Sequence, residues 1–165
     1  MVIYGGDTFQ DGTQCGEETK KRCEKAIAFI SKHPDLQFII ILAAGLRPDK
    51  PKYLELKKVM EFYLLERLYS LDLKVPIIIA KEDGWGTFQE TVVSLEEVQE
   101  MEIEEMLVVS SWYHVPRILF IWFLLNRNQI KVSPVFTRCN PGIYMFTREI
   151  MAFLKIPISY WGWKH

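Results

Sequence analysis

The chain is expected to fold as a three-layer α/β sandwich, with helices on both faces of a mainly parallel sheet of about five strands. Three observations predict this. Short apolar runs rich in β-branched residues recur along the 165 residues. The segments between them carry apolar residues at helical spacing. Runs such as residues 38–42 are apolar throughout, as in strands covered on both faces. A strand, a crossover and a parallel strand wind right-handed, so this alternation builds one layered sheet.

The elements follow in order. Val2, Ile3 and Tyr4 form the first strand, and Cys23, Ala26, Ile27 and Ile30 then fall on one helical face. Residues 38–42 are the second strand, with Leu56, Val59, Met60 and Tyr63 marking the next helix. Residues 75–79 are the third strand, followed by Val92, Leu95 and Val98 at three-residue spacing. That third helix opens on Thr87-Phe88-Gln89-Glu90, which fits a capping box in which Thr87 is the cap and Glu90 reaches back to it. Residues 106–109 are the fourth strand, and Pro116 suits the first turn of the apolar helix that follows, with Ser110 or Ser111 as its cap. Residues 130–136 are the fifth strand, and residues 143–156 read as an amphipathic helix. The aromatic tail Tyr160-Trp161-Gly162-Trp163 is expected to pack across the sheet edge.

A hydrophobic fraction of 49% with 25% charged residues is ordinary for a globular chain, and no Pro-, Ser- or Gly-rich linker divides it. A single domain over residues 1–165 is therefore expected. Lys and Arg (20) nearly cancel Asp and Glu (21), so no global field draws in nucleic acid or an anionic membrane, and charge recognition must be local. The longest apolar run, residues 118–125, is far short of the roughly 20 residues that cross a bilayer. The start lacks a signal peptide's basic region and apolar core, and a soluble cytoplasmic protein without a membrane segment is the expectation. Cys15, Cys23 and Cys139 lack metal-ligand spacing and His33, His114 and His165 are scattered, so neither a disulfide framework nor a zinc site is indicated.

In an open parallel sheet, ligands bind beyond the carboxyl ends of the strands, where loops converge and helix N-termini present free N–H groups. After the first strand stand Gly5-Gly6-Asp7, glycines that permit close backbone approach without forming a dinucleotide fingerprint. After the second come Ala43-Ala44-Gly45 and then the cations Arg47 and Lys50. After the third, Glu82 precedes the glycine-flanked Trp85 and is a candidate to bind a ligand hydroxyl or act as a general base. After the fourth comes Ser110-Ser111-Trp112-Tyr113-His114-Val115-Pro116-Arg117. His114 and Arg117, three apart in a first helical turn, share a face beside the free amides, a corner suited to a phosphate or carboxylate.

Residues 110–117 resemble the Thr-Ser-x-Tyr-His-x-x-Arg signature of the YdcF-like family, a domain of unknown function. Gly5-Gly6, Arg22 with Ala26 one turn on, residues 59–64, Glu82 followed by Thr87-Phe88, and Arg148-Glu149 fall in the order of that family's motifs. The chain departs from it at Ala43-Ala44-Gly45, where the family has Ser-Gly-Gly, and at Glu90, where it has Asn. The resemblance implies a Rossmann-like domain with a polar pocket, and relatives associated with cell-envelope processes.

The expected function is an enzyme acting on a phosphate-bearing or nucleotide-like small molecule. Glu82 and His114 are the candidate catalytic residues. Gly5, Gly6, Asp7, Gly45, Thr87, Ser110, Ser111, His114 and Arg117 are the candidate ligand-binding residues. No metal cluster, Walker loop or Gly-x-Ser-x-Gly elbow stands in the sequence, and no cofactor is identified. Two other classes compete: a non-catalytic nucleotide or S-adenosylmethionine binding domain, and an interaction module using Trp112-Tyr113 and Trp161-Gly162-Trp163.

Overall fold

The computed structural model describes residues 1–6, 14–45, 55–84, 86–99, 101, 103, 105–126 and 130–164. Five strands, β1 (Val2–Ile3), β2 (Ile40–Ala44), β3 (Ile77–Gly84), β4 (Glu105–Ser111) and β5 (Lys131–Thr137), pair in parallel in the order β3-β2-β1-β4-β5. Helices α1 (Glu17–Ser31), α2 (Leu56–Ser70), α3 (Thr87–Gln99) and α4 (Val115–Leu125) alternate with them, and α5 (Ile143–Leu154) and α6 (Ile156–Lys164) close the chain. The predicted α/β sandwich with a parallel sheet is therefore the fold that forms.

Two apolar layers hold it. Cys23, Ala26, Ile27 and Ile30 of α1 pack with Val59, Met60, Leu64 and Leu68 of α2. Leu95 and Val98 of α3 pack with Ile118, Ile121, Trp122 and Leu125 of α4 in the other layer. Successive side chains of a strand point to opposite faces, so Ile40 and Leu42 enter the first layer and Ile41 the second. The strand order places β2 and β3 on one side of β1 and β4 and β5 on the other, so right-handed crossovers put α1 and α2 on one face and α3 and α4 on the opposite one.

Three local expectations are corrected. β3 runs past residue 79 to Gly84, so Glu82 belongs to a strand rather than to a loop. The buried ammonium of Lys57 secures that extension. It donates to the carbonyls of Ala80 (3.0 Å) and Glu82 (3.2 Å) and pairs with Asp83 at 2.5 Å. The capping box does not form either: Thr87 is the first helical residue, and Gly86 precedes it at φ 91°, its carbonyl accepting the Glu90 N–H. Only glycine enters that backbone region without strain, which moves the helix start one residue earlier than the Thr87 pattern suggests. Finally, the aromatic tail is helical, and Trp161 lies outward while Ile156 and Tyr160 pack on the α3–α4 layer. Among the described residues, no helix is long and apolar enough to cross a membrane.

Candidate functional site

Where adjacent strands send their crossovers to opposite sides, their carboxyl ends open a crevice. Here those strands are β1 and β4, and a polar cluster stands on each face.

On the α1 face, Glu18 and Arg22 lie one turn apart and point at the sheet, which is why Arg22 shares a side with Ala26. The Arg22 guanidinium is 1% exposed. It donates to the carbonyls of Tyr4 (3.0 Å) and Gly5, to Ser111 Oγ (3.2 and 3.0 Å) and to Glu18 Oε1 (2.6 Å). Glu18 also accepts from the hydroxyls of Ser111 and Tyr113 (2.6 Å to the latter). Burial would raise the Glu18 carboxyl, but the Arg22 charge and these two hydroxyls hold it below the usual carboxylate range. Burial and the Glu18 contact push the Tyr113 phenol up.

On the α4 face, His114 is the residue before the first helical turn, in helical backbone geometry, and Pro116 sits inside that turn. Neither serine caps the helix: Ser111 Oγ is spent on α1, and His114 has no side-chain cap bond. His114 Nδ1 lies 2.9 Å from Glu149 Oε2. Arg117 grips the same carboxylate with both prongs, Nε to Oε2 at 2.8 Å and Nη2 to Oε1 at 3.1 Å, and its Nη2 is 3.1 Å from His114 Nδ1. Nδ1 thus faces a carboxylate, which only accepts, and a guanidinium N–H, which only donates; the shorter contact, to Glu149, favours the tautomer with the proton on Nδ1 and the lone pair on Nε2. Burial lowers the His114 pKa despite the carboxylate, so the ring is neutral at pH 7. Burial opposes ionisation of Glu149, but His114 and Arg117 together keep it below the ordinary range.

A third carboxylate joins them. Glu90, in the first turn of α3, accepts the Gly5 backbone N–H, and burial pushes its pKa up to about 7 against the fields of Arg22 and Arg117. Gly84 makes this approach possible, because a Cβ there would stand 2.6 Å from Glu90 Cα. Ser110, on β4, is buried, and its Oγ has no hydrogen-bond partner among the described residues. A buried hydroxyl in that state is one that a ligand or a water would satisfy.

The other predicted residues divide. Gly5 lies at the crevice, its carbonyl held by Arg22, and a Cβ on it would meet Leu56 Cδ2 at 2.6 Å. Gly6 donates to Thr19 Oγ1 at 3.2 Å. Gly45 joins strands instead: its N–H donates to Gly84 O at 3.0 Å, and a Cβ would lie 2.6 Å from Asp83 Cβ. Thr87 serves α3, its carbonyl accepting the Thr91 hydroxyl at 2.7 Å. Glu82 is exposed on β3, the edge strand, and β2 separates it from the β1–β4 crevice, so it does not meet His114. Asp7, Arg47, Lys50 and Trp85 fall outside the described residues.

Sequence reasoning missed Glu18 altogether, read Glu90 as a helix cap and named Glu149 only within a motif. Glu90 was concealed by the local Thr-x-x-Glu pattern, and the two glycines at 84 and 86 were the signal of a close strand–helix approach. Glu149 lies 32 residues from its partner Arg117, and only motif resemblance pointed to it. A surface groove of about 720 Å³, lined by Trp112, Val115, Pro116, Phe136 and Arg138 among others, adjoins the first turn of α4. Among the described residues, no group of three His, Cys, Asp or Glu is placed to hold a metal ion.

No family model, curated protein or solved structure matches the chain.

Proposed function

We propose that the chain is a YdcF-like enzyme that binds a phosphate-bearing or nucleotide-like small molecule at the carboxyl ends of β1 and β4 and uses His114 to move a proton. The observation that carries this reading is the 2.9 Å contact between His114 Nδ1 and the buried Glu149 carboxylate at the start of α4. A carboxylate that fixes the tautomer and leaves Nε2 basic is the arrangement of an oriented general base. His114 would take a proton from a substrate hydroxyl or a water. Glu90, poised near neutrality, would return one to the leaving group, the two groups being set apart by their surroundings. Glu149 balances the charge of Arg117, so a bound anion would be held chiefly by the free amides and dipole of α4, with Arg117 shared between it and Glu149. Glu82, on the edge strand, has no part in this reading.

The test is turnover across a panel of phosphoesters and glycosyl phosphates. The rate is expected to fall about 100-fold or more in His114→Ala and also in Glu149→Gln, which keeps the shape but removes the charge that orients the ring. A substrate turned over equally well by both variants would overturn the assignment.

A second reading, a non-catalytic nucleotide or S-adenosylmethionine binding domain, is favoured by Ala43 and Ala44. Ala43 stands where the family has a serine and Ala44 where it has a glycine, and both are buried at the end of β2. It predicts stabilisation by ligand with no turnover.

A further inference from the structure

An amphipathic helix normally turns its apolar side to the core and its charges to water. α5 instead turns a carboxylate to the core and leaves most of its large apolar side chains outward. It meets the body along Met145, Glu149 and Ala152, the three positions less than about a third exposed on it, and the most buried of them is the ion-paired carboxylate. Its outer flank carries Ile143, Phe146, Ile150 and Leu154, at spacings of three and four, with Ile143 86% and Leu154 65% exposed. α6 extends this surface with Ile158 and Trp161, 73% and 68% exposed. Phe153 stacks on Phe120 of α4 at 5.1 Å, which carries the apolar surface towards the exposed Phe123.

The charges beside this surface have one sign. Across residues 143–162 the charged residues are the cations Arg148 and Lys155 and the carboxylate Glu149, which is turned inward. Arg148 of α5 and Lys155 at its C-cap are exposed and, seven residues apart, share one edge of the helix, beside the exposed Tyr144 and Met151. A contiguous apolar surface of this kind marks an interaction site. Its cationic edge selects the partner: a symmetric contact with a second copy would set cation against cation, whereas an anionic surface is complementary. Bulky aliphatic and aromatic side chains bordered by cations are the composition of helices that lie in a lipid–water interface.

We propose that the outer face of α5 and α6 is a docking surface for an anionic lipid bilayer, with the two helices lying in the headgroup region. This is independent of the reaction at His114.

The experiment is co-sedimentation of the full chain with vesicles of phosphatidylcholine alone and of phosphatidylcholine and phosphatidylglycerol in equal parts. The variants are Ile150→Glu with Leu154→Glu, and Arg148→Glu with Lys155→Glu. All four positions are exposed, and an unchanged melting temperature confirms that the variants fold. The wild type is expected to bind the anionic vesicles at least about tenfold more tightly than the neutral ones, a preference that falls with salt. The charge variant should lose that preference, and the apolar variant should lose binding to both. Failure to bind the anionic vesicles, or equal binding to both compositions, would overturn the proposal. So would a wild-type dimer in sedimentation that the Ile150→Glu, Leu154→Glu variant dissolves while vesicles do not bind, since the face would then belong to a second copy.

Discussion

Glu90 accepts one backbone hydrogen bond at the end of β1, and burial pushes its pKa from 4.5 up to about 7. The folded protein therefore holds a proton that the unfolded chain releases between pH 4.5 and 7, so this residue makes stability fall as pH rises through that window. His114 has the opposite slope. Its folded pKa lies below 6.5, so the unfolded chain takes up a proton first, and stability is lost as pH falls below that value. Glu18 and Glu149, both held below 4.5, contribute stability that is lost only in more acidic solution. Glu90→Gln removes one of these slopes and leaves the rest. The variant is expected to gain stability relative to wild type at about pH 8 and to gain little at about pH 5, on the order of 2 kcal/mol separating the two comparisons. Urea unfolding at both pH values checks this, and an equal effect at both would show that folding does not shift the Glu90 pKa.

Residue-scale chemistry was legible in the sequence only where it is local. His114 and Arg117 could be paired because three residues on a helical turn bring them together. Ser111, read as a cap or ligand contact, instead serves Arg22 and Glu18, more than eighty residues earlier in the chain. No periodicity encodes a contact of that separation.

At the scale of elements, the apolar runs marked every strand and apolar patterning marked α1 to α5, because burial leaves a plain pattern in the sequence, while α6 read as an aromatic tail. The far end of β3 left none. Lys81-Glu82-Asp83-Gly84 looks like a loop, and it is held as a strand by parallel pairing with β2, where Ala44 opposes Gly84 across a register shift, and by Lys57 from α2. Replacing that ammonium strips two carbonyls and Asp83 of their donor. Lys57→Met is expected to cost about 1–3 kcal/mol and to speed hydrogen exchange at the amides of residues 81–84 more than in β4. Uniform acceleration across the sheet would mean that Lys57 supports the core rather than this extension. The start of α3 teaches a similar lesson: a capping box and a glycine cap differ by one residue in sequence, and that residue decides whether Glu90 turns back to its own helix or into the crevice.

At the scale of the whole molecule, the strand order does most to place the candidate site. Because β1 sits between β2 and β4, its two-residue strand becomes the point where helices change faces, and the loops after β1 and β4 are forced together. Tyr4, which follows it, ties both halves of the α3–α4 layer. Its hydroxyl meets Thr91 Oγ1 at 2.6 Å and accepts the Trp122 indole N–H at 2.8 Å. Alternating strands and helices made the parallel sandwich readable, but nothing in that alternation distinguishes an edge strand from a central one. This is why Glu82, at the end of an edge strand, read as well as a residue of the crevice would. The outward apolar face of α5 and α6 escaped the same logic, since an amphipathic pattern does not say which side meets the core.

The measurement that bears most directly on the central claim is a thermal-shift screen against phosphates, nucleotides, nucleotide sugars and S-adenosylmethionine, run on the wild type and on the Arg117→Ala, His114→Ala double variant. A phosphate-bearing ligand is expected to raise the melting temperature of the wild type and to raise that of the double variant markedly less. If no anion stabilises the wild type, or if the same ligand stabilises both proteins equally, the crevice between β1 and β4 is not the binding site proposed for it.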